Sequence, residues 1–269
     1  MTDPPLIFIT NDDGIASPGL HAAVDAVLDL GTVVVVAPST QQTATGRSCA
    51  GNGDATLHPA SLMSSGRRVE AYHCPCTPAQ VVRHGLQVRC AARLPDLLIS
   101  GINYGENVGN CVTISGTVGA ALEGASHGIP ALAVSLETDT AYHLSHTMQD
   151  WRTAAHFLHC FTRGVLAGGL PFDVDVLKVD IPDSATPATP WRLTRQSRQG
   201  YFTTFLEQPL PDSRLRDAVL RIAVDVRTLE RDSDIYALKV DRVVAVTPLS
   251  LDLTSRADPA TLRDLLGGT

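Results

Sequence analysis

The chain opens on a short apolar run, Leu6-Ile7-Phe8-Ile9, that stops at Thr10-Asn11-Asp12-Asp13-Gly14. A continuous run of this length bounded by turn residues reads as a buried strand. Ser17-Pro18 then supplies a cap residue and a proline at the first helical position. Leu20, Ala23, Val24, Val27 and Leu28 share one face of the helix that follows, and Gly31 ends it. Residues 32–37, Thr-Val-Val-Val-Val-Ala, are apolar on both faces, as a central parallel strand is. Residues 39–70 are rich in Ser, Thr, Gly and Asn and read as long loops with short edge strands. Thr77-Pro78 opens a second helix, through Val88. Residues 96–100 read as a strand, 101–116 as a Gly- and Asn-rich loop, and 117–126 as a small-residue helix closed by Gly128 and Pro130. A strand at 131–135, a helix at 151–165 and a strand at 174–179 complete the series. This βαβ alternation predicts an α/β fold with a doubly wound, mostly parallel sheet.

Past Pro182 the pattern changes. Residues 183–190 are Pro-, Thr- and Ala-rich and resemble a linker, while residues 191–250 alternate apolar and polar positions, as in Val219-Leu220-Arg221-Ile222-Ala223-Val224. That period predicts antiparallel hairpins, and an extended hairpin cannot bury both faces alone. The chain therefore divides into a core over 1–182 and a C-terminal hairpin and oligomerisation extension over 183–269.

Composition narrows the function. Hydrophobic residues make up 44% of the chain but aromatic ones only 5%, so the core is built mainly of Val, Leu, Ile and Ala. A net charge of −7 argues against binding to a nucleic-acid duplex, which calls for a basic face. The six cysteines (Cys49, Cys74, Cys76, Cys90, Cys111, Cys160) include one close pair, Cys74-Pro-Cys76, which lacks the Cys-x-x-Cys spacing of redox and zinc sites. Free thiols, no apolar stretch long enough to span a bilayer, and a start without basic or signal-like character predict a cytoplasmic protein with no membrane partner.

The chemistry concentrates in three polar loops that follow strands. The first presents the adjacent carboxylates Asp12 and Asp13, with Gly14 letting the backbone turn away. Vicinal carboxylates repel unless a cation lies between them, and a hard divalent ion such as Mg2+ or Mn2+ prefers such oxygen ligands. Taken alone, the same residues read equally as a polar turn and helix cap. The second loop runs through Ser39-Thr40-Gln41-Gln42-Thr43-Ala44-Thr45-Gly46-Arg47-Ser48, and the third from Ser100-Gly101-Ile102-Asn103 through Glu106-Asn107 to Ser115-Gly116-Thr117. Ser115-Gly116-Thr117 opens a helix, and the unpaired N–H groups of a helix start make an anion site. If the three strands are neighbours, all three loops meet at one sheet edge, where α/β folds bind ligands. A dinucleotide-binding oxidoreductase would need a Gly-x-Gly-x-x-Gly turn, which Gly14 to Gly19 does not provide.

Several long motifs in order resemble the SurE family of stationary-phase survival proteins, metal-dependent nucleotidases. They are Thr10-Asn11-Asp12-Asp13-Gly14-Ile15, Val35-Val36-Ala37-Pro38-Ser39 with Gly46-Arg47-Ser48, residues 95–107 (Pro-Asp-Leu-Leu-Ile-Ser-Gly-Ile-Asn-Tyr-Gly-Glu-Asn), Ile114-Ser115-Gly116-Thr117-Val118 with Ala120-Ala121-Leu122-Glu123-Gly124, and Val246-Thr247-Pro248-Leu249. The resemblance implies a Rossmann-like core with a C-terminal β-hairpin extension exchanged between subunits, one family domain overall. It implies one divalent metal ion per subunit, Mg2+ or Mn2+, held by Asp12, Asp13, Thr43 and Asn103, with Asp12 or Asp13 also accepting a proton from water. Asn11, Gly46, Ser48, Asn107, Ser115, Gly116 and Thr117 would hold the phosphate. The implied activity is hydrolysis of a phosphomonoester, a nucleoside 5′- or 3′-monophosphate, by a homo-oligomer (dimer or tetramer) built through residues 191–249. A non-catalytic metal- and nucleotide-binding sensor on the same fold is the alternative. Three positions depart from the family pattern: Thr43-Ala44 stands for Ser-Gly, Cys76-Thr77-Pro78 for Gly-Thr-Pro, and Thr113 lies near a usual tyrosine.

Overall fold

The computed structural model describes residues 3–140, 143 and 146–267. The apolar runs form the centre of one sheet: β1 (Leu6–Thr10), β2 (Thr32–Pro38), β6 (Leu97–Tyr104), β7 (Ala131–Leu136) and β8 (Val176–Ile181). With β3 (His58–Pro59), β5 (Arg67–Cys74), β9 (Trp191–Leu193) and β12 (Val244–Leu249) the order across it is β3-β5-β2-β1-β6-β7-β8-β12-β9, and β4 (Leu62–Ser64) pairs with β5. The strands from β5 to β8 run parallel. β12 is antiparallel to β8, and β9 is parallel to β12.

Because successive side chains on a strand face opposite ways, each strand feeds two apolar layers. Ile7, Ile9, Val33, Val35, Leu97 and Ile99 pack under α1 (Pro18–Val27) and α4 (Arg152–Gly168). Phe8, Val34, Val36 and Leu98 pack under α2 (Pro78–Arg89) and α3 (Gly116–Ala125). The expected doubly wound architecture is therefore what the chain adopts. Ser17 holds the cap position of α1 without a side-chain capping bond. At α2, Thr77 and Gln80 form a reciprocal capping box.

The strand order reverses between β1 and β6. Such switch points are where open α/β sheets bind ligands. It puts the carboxyl ends of β1 and β6 side by side, with Thr10 opposite Ser100.

Two stretches differ from the sequence reading. The Gly- and Asn-rich segment after Ser100 continues as strand to Tyr104, because Asn103 and Tyr104 still pair with Ser135 and Leu136 after a register shift. Residues 109–114 then form a 3₁₀ helix. In the C-terminal part, the alternation read as hairpins yields one hairpin, β10 (Phe202–Phe205) against β11 (Val219–Ile222). β9 and β12 instead join the central sheet, and a short helix α5 (Asp234–Lys239) lies between β11 and β12. Val244, Ala245 and Val246 are buried one after another, so β12 is covered on both faces in a way that residue alternation does not signal.

β8 also carries a buried charge cluster. Lys178 and Asp180, two residues apart and so on one face, are fully buried and bonded to each other, and Asp234 at the start of α5 lies 3.2 Å from the Lys178 ammonium. Burial alone would lower the Lys178 pKa, but the two carboxylates outweigh it and hold the ammonium above its ordinary range. Asp180 accepts from Asn107 N at 2.7 Å, and Asp234 accepts from Gly109 N at 3.1 Å and Ser197 N at 2.9 Å. The cluster thus fastens the loop after β6 to the C-terminal segment. Among the described residues no helix is long and apolar enough to cross a membrane.

Candidate metal and phosphate site

The turn after β1 is braced by its own first residue. Asn11 Nδ2 donates to Gly14 O at 3.0 Å and Asn11 Oδ1 accepts from Gly14 N at 3.2 Å, while Gly14 takes a φ of 94°. The second loop is sewn to this turn by Gln42 N donating to Asp12 O at 2.7 Å and Ile15 N to Pro38 O at 2.9 Å.

Asp12 turns toward α3. Thr117 Oγ1 donates to its Oδ1 at 2.5 Å. Gly116 lies so close that a Cβ there would stand 2.7 Å from Asp12 Oδ2, so only glycine lets the helix start approach the carboxylate. Asp13 turns toward β6, where its Oδ2 accepts from Tyr104 N at 3.1 Å and its Oδ1 from Gln41 Nε2 at 2.9 Å. Asp12 is 6% exposed and Asp13 2%. Burial pushes the Asp12 carboxyl up to about 6 in spite of the Thr117 bond. Burial and then the Asp12 charge push Asp13 up to about 8. Two carboxylates in that position call for a cation.

Asn103, also buried, directs Nδ2 to Tyr104 O at 3.1 Å and Gly105 O at 2.6 Å, which holds the amide plane and turns its oxygen the other way. Thr43 is exposed, beside the Gln42 that is tied to Asp12. Among the described residues no three His, Cys, Asp or Glu side chains converge as a metal cluster. The available donors are therefore two carboxylates with amide and hydroxyl oxygens, a set that fits a hard ion such as Mg2+ or Mn2+ and lacks the nitrogen and sulfur ligands zinc favours.

The other predicted residues divide. Ser115 caps α3, its Oγ accepting from Val118 N at 3.1 Å, beside Gly116 and Thr117. Gly46 N donates to Ile114 O at 2.9 Å, which lays the second loop against the start of α3. Ser48 Oγ accepts from Ala50 N at 3.3 Å and Ser48 O from Thr77 Oγ1 at 2.5 Å. Asn11 is engaged in its own turn, and Asn107 donates through Nδ2 to Ser135 Oγ at 2.8 Å. Both serve the scaffold in this arrangement.

Gln41 and the segment around His143 and His146 were not singled out in the sequence, although they border the site. His146 Nε2 donates to Asp13 O at 3.2 Å, and Gln41 Nε2 also donates to His143 O at 2.6 Å. Gln41 stands in a polar loop already marked by its composition. The histidines carry no local signal, because only the path of the chain after β7 brings them back to β1.

These features define a class: a doubly wound α/β protein whose switch point sets paired, desolvated carboxylates against a glycine-lined helix start. The model of the family described as Survival protein SurE matches residues 7–203, and the chain belongs to that family. It is 40% identical over 266 residues to the 5′-nucleotidase SurE of Thermococcus kodakarensis, covering 97% of this chain and 98% of that one. It is 41% identical over 253 residues to the 5′-nucleotidase SurE of Methanocella arvoryzae, covering 93% of each. The crystal structure of the SurE protein from Aquifex aeolicus superposes with a TM-score of 0.75 at 30% identity, covering 97% of this chain and 100% of that one.

Two predictions follow from the donor set. Both Asp pKa values lie above the ordinary 3.8, so this pair destabilises the metal-free fold progressively as pH rises from that value toward about 8. Asp12→Asn relieves the repulsion, and the Thr117 hydroxyl can turn to accept from the new amide. At pH 8 in chelator the variant should melt no lower than the parent, by about 1 kcal/mol or more in its favour, and it should lose the stabilisation by Mn2+. A variant still stabilised by Mn2+ like the parent would remove Asp12 from the metal site. Thr43→Ser should keep Mn2+ affinity and Thr43→Val, which matches the shape without the oxygen, should weaken it. Equal affinity in the valine variant, measured by calorimetry, excludes Thr43 as a ligand.

Proposed function

We propose that the chain is a divalent-metal-dependent phosphomonoesterase that hydrolyses nucleoside 5′-monophosphates, and 3′-monophosphates as a second ester class, to nucleoside and phosphate. The observation that carries the reading is the contact of Asp12 with Thr117 and Gly116, which sets one carboxylate of the pair directly against the start of α3. Relatives at about 40% identity across nearly the whole chain carry the name 5′-nucleotidase, which supports the substrate class.

Bound by Asp12, Asp13, Asn103 and Thr43, Mg2+ or Mn2+ would polarise a phosphoryl oxygen and lower the pKa of water. The chain's own groups do the remainder. The N–H groups of Gly116 and Thr117 face the phosphate at a helix N-terminus, where fixed donors favour negative charge. Ser115 and Gly46 hold that donor set in place from two sides, and Ser48 adds a hydroxyl from the same loop. One of Asp12 and Asp13 accepts the proton of the attacking water as the new bond to phosphorus forms and the nucleoside oxygen leaves. A cytoplasmic setting, where thiols stay reduced, is part of the same proposal.

The test is phosphate release from a panel of nucleoside 5′- and 3′-monophosphates by metal-depleted protein, with and without added Mn2+. Release that depends on Mn2+ and is lost, by about 10³-fold or more, in Asp13→Asn is expected. Tight binding of Mn2+ and nucleotide with no turnover would favour the sensor reading instead.

We also propose that the protein is a homo-oligomer joined through the β10–β11 hairpin. The hairpin stands as a sheet of two strands, and Phe205, Val219, Leu220 and Ile222 on it are exposed. Two isolated strands with an apolar surface are normally covered or paired. Light scattering should give a mass of at least two 28.6 kDa subunits, lowered by Leu220→Asp with Ile222→Asp. A stable parent monomer at micromolar concentration overturns this.

A further inference from the structure

Glu123 lies on α3 two turns beyond the helix start, and its side chain is 0% exposed. A buried carboxylate there is costly unless it is paired. Two arginines pair it: Arg47 Nε donates to Oε2 at 2.8 Å and Arg83 Nε to Oε1 at 2.9 Å. Burial would raise the Glu123 pKa, but the two guanidinium groups outweigh it and hold it below the ordinary range.

The two arginines have the same chemistry and different mountings. Arg83 belongs to α2, whose position is fixed by buried Val81, Val82 and Leu86. Arg47 belongs to the second polar loop, between Gly46 and Ser48. That loop also meets the residue before the α3 cap and the first turn of α3 itself. Gly46 N donates to Ile114 O at 2.9 Å, and the Gly46 carbonyl occupies the space a Cβ on Gly119 would need. Glu123 is thus the one charged anchor, among the described residues, by which α3 holds this loop.

We infer that Glu123 is a positioning residue for phosphate recognition, acting through Arg47 to seat residues 46–48 on the first turn of α3. The inference rests on the reading of that turn and loop as the phosphate site. A merely structural tie between α2 and α3 would make Arg47 and Arg83 equivalent. A positioning role makes them unequal, since only Arg47 carries the loop.

Steady-state kinetics of the full chain with Mn2+ and a nucleoside 5′-monophosphate separate the two. Glu123→Gln and Arg47→Ala should each raise KM about tenfold, the scale of one charge-assisted hydrogen bond, with kcat within about twofold. The double variant should be no worse than either single one, since both remove the same contact. Arg83→Ala should leave KM within about twofold. Arg83→Ala raising KM as much as Arg47→Ala, or a folded Glu123→Gln with parental KM, overturns the inference. If Glu123→Gln does not fold, the comparison of the two exposed arginines decides, their side chains being 38% and 49% exposed. A parent that releases no phosphate counts against the nucleotidase reading alone. The contact is then read by stabilisation with inorganic phosphate, which should be reduced in Arg47→Ala and retained in Arg83→Ala, the reverse or an equal loss overturning it.

Discussion

Two carboxylates buried side by side are the constraint to which the rest of this sheet edge answers. Among the described residues, neither Asp12 nor Asp13 has a cationic side chain bonded to it. Neutral donors approach instead: a hydroxyl and helix start for Asp12, and a backbone N–H and a glutamine amide for Asp13. Such donors soften the desolvation of the charge without cancelling it, and both carboxyls remain pushed upward. The edge therefore keeps a strong unmet demand for positive charge.

Elsewhere the chain does satisfy its buried charges, and those solutions hold the loops around the site. Lys178 between Asp180 and Asp234 fixes the backbone of Asn107 and Gly109. Glu137 is held by Lys239 and Arg242, Glu123 by Arg47 and Arg83. Glu106, which accepts from Tyr201 at the base of the hairpin, is less fully compensated, and burial pushes its carboxyl up to about 7. Each links elements far apart in sequence. Breaking one partner of such a pair leaves an uncompensated buried charge, which costs far more than the pair itself contributes. The loops of the site are thereby held by fixed charges on the scaffold even though the site itself lies on loops.

The C-terminal segment has two kinds of attachment. β9, α5 and β12 are built into the main sheet and the charge clusters. β10 and β11 stand away from it, rooted through Tyr201, Phe202 and Val224 in a small apolar cluster with Val108, Leu229, Ile235 and Leu238. Since Val108 lies just beyond the end of β6, which carries Asn103, the root of the hairpin and the candidate metal site share one short stretch of backbone.

The sequence by itself determined the elements whose signal is local. Runs such as Val33 to Val36 are strands because both faces are apolar, α1 and α2 begin at Ser17-Pro18 and Thr77-Pro78, and Asp12, Asp13, Asn103 and Thr117 stand out as polar residues at or beyond the ends of apolar runs. It left β5 inside a loop-rich stretch and read β9 and β12 as hairpin strands, because pairing partners are chosen by the sheet and are not written in the strand's own period. Only the tertiary structure decided that Asn11 and Asn107 brace the scaffold, that Gln41 and His146 border Asp13, and that Glu123 reaches the loop of Arg47. Apart from the local turn of Asn11, these contacts join residues 28 to 133 positions apart, a proximity that local physical chemistry cannot encode and that exists only once the reversal between β1 and β6 has brought the loops to one edge.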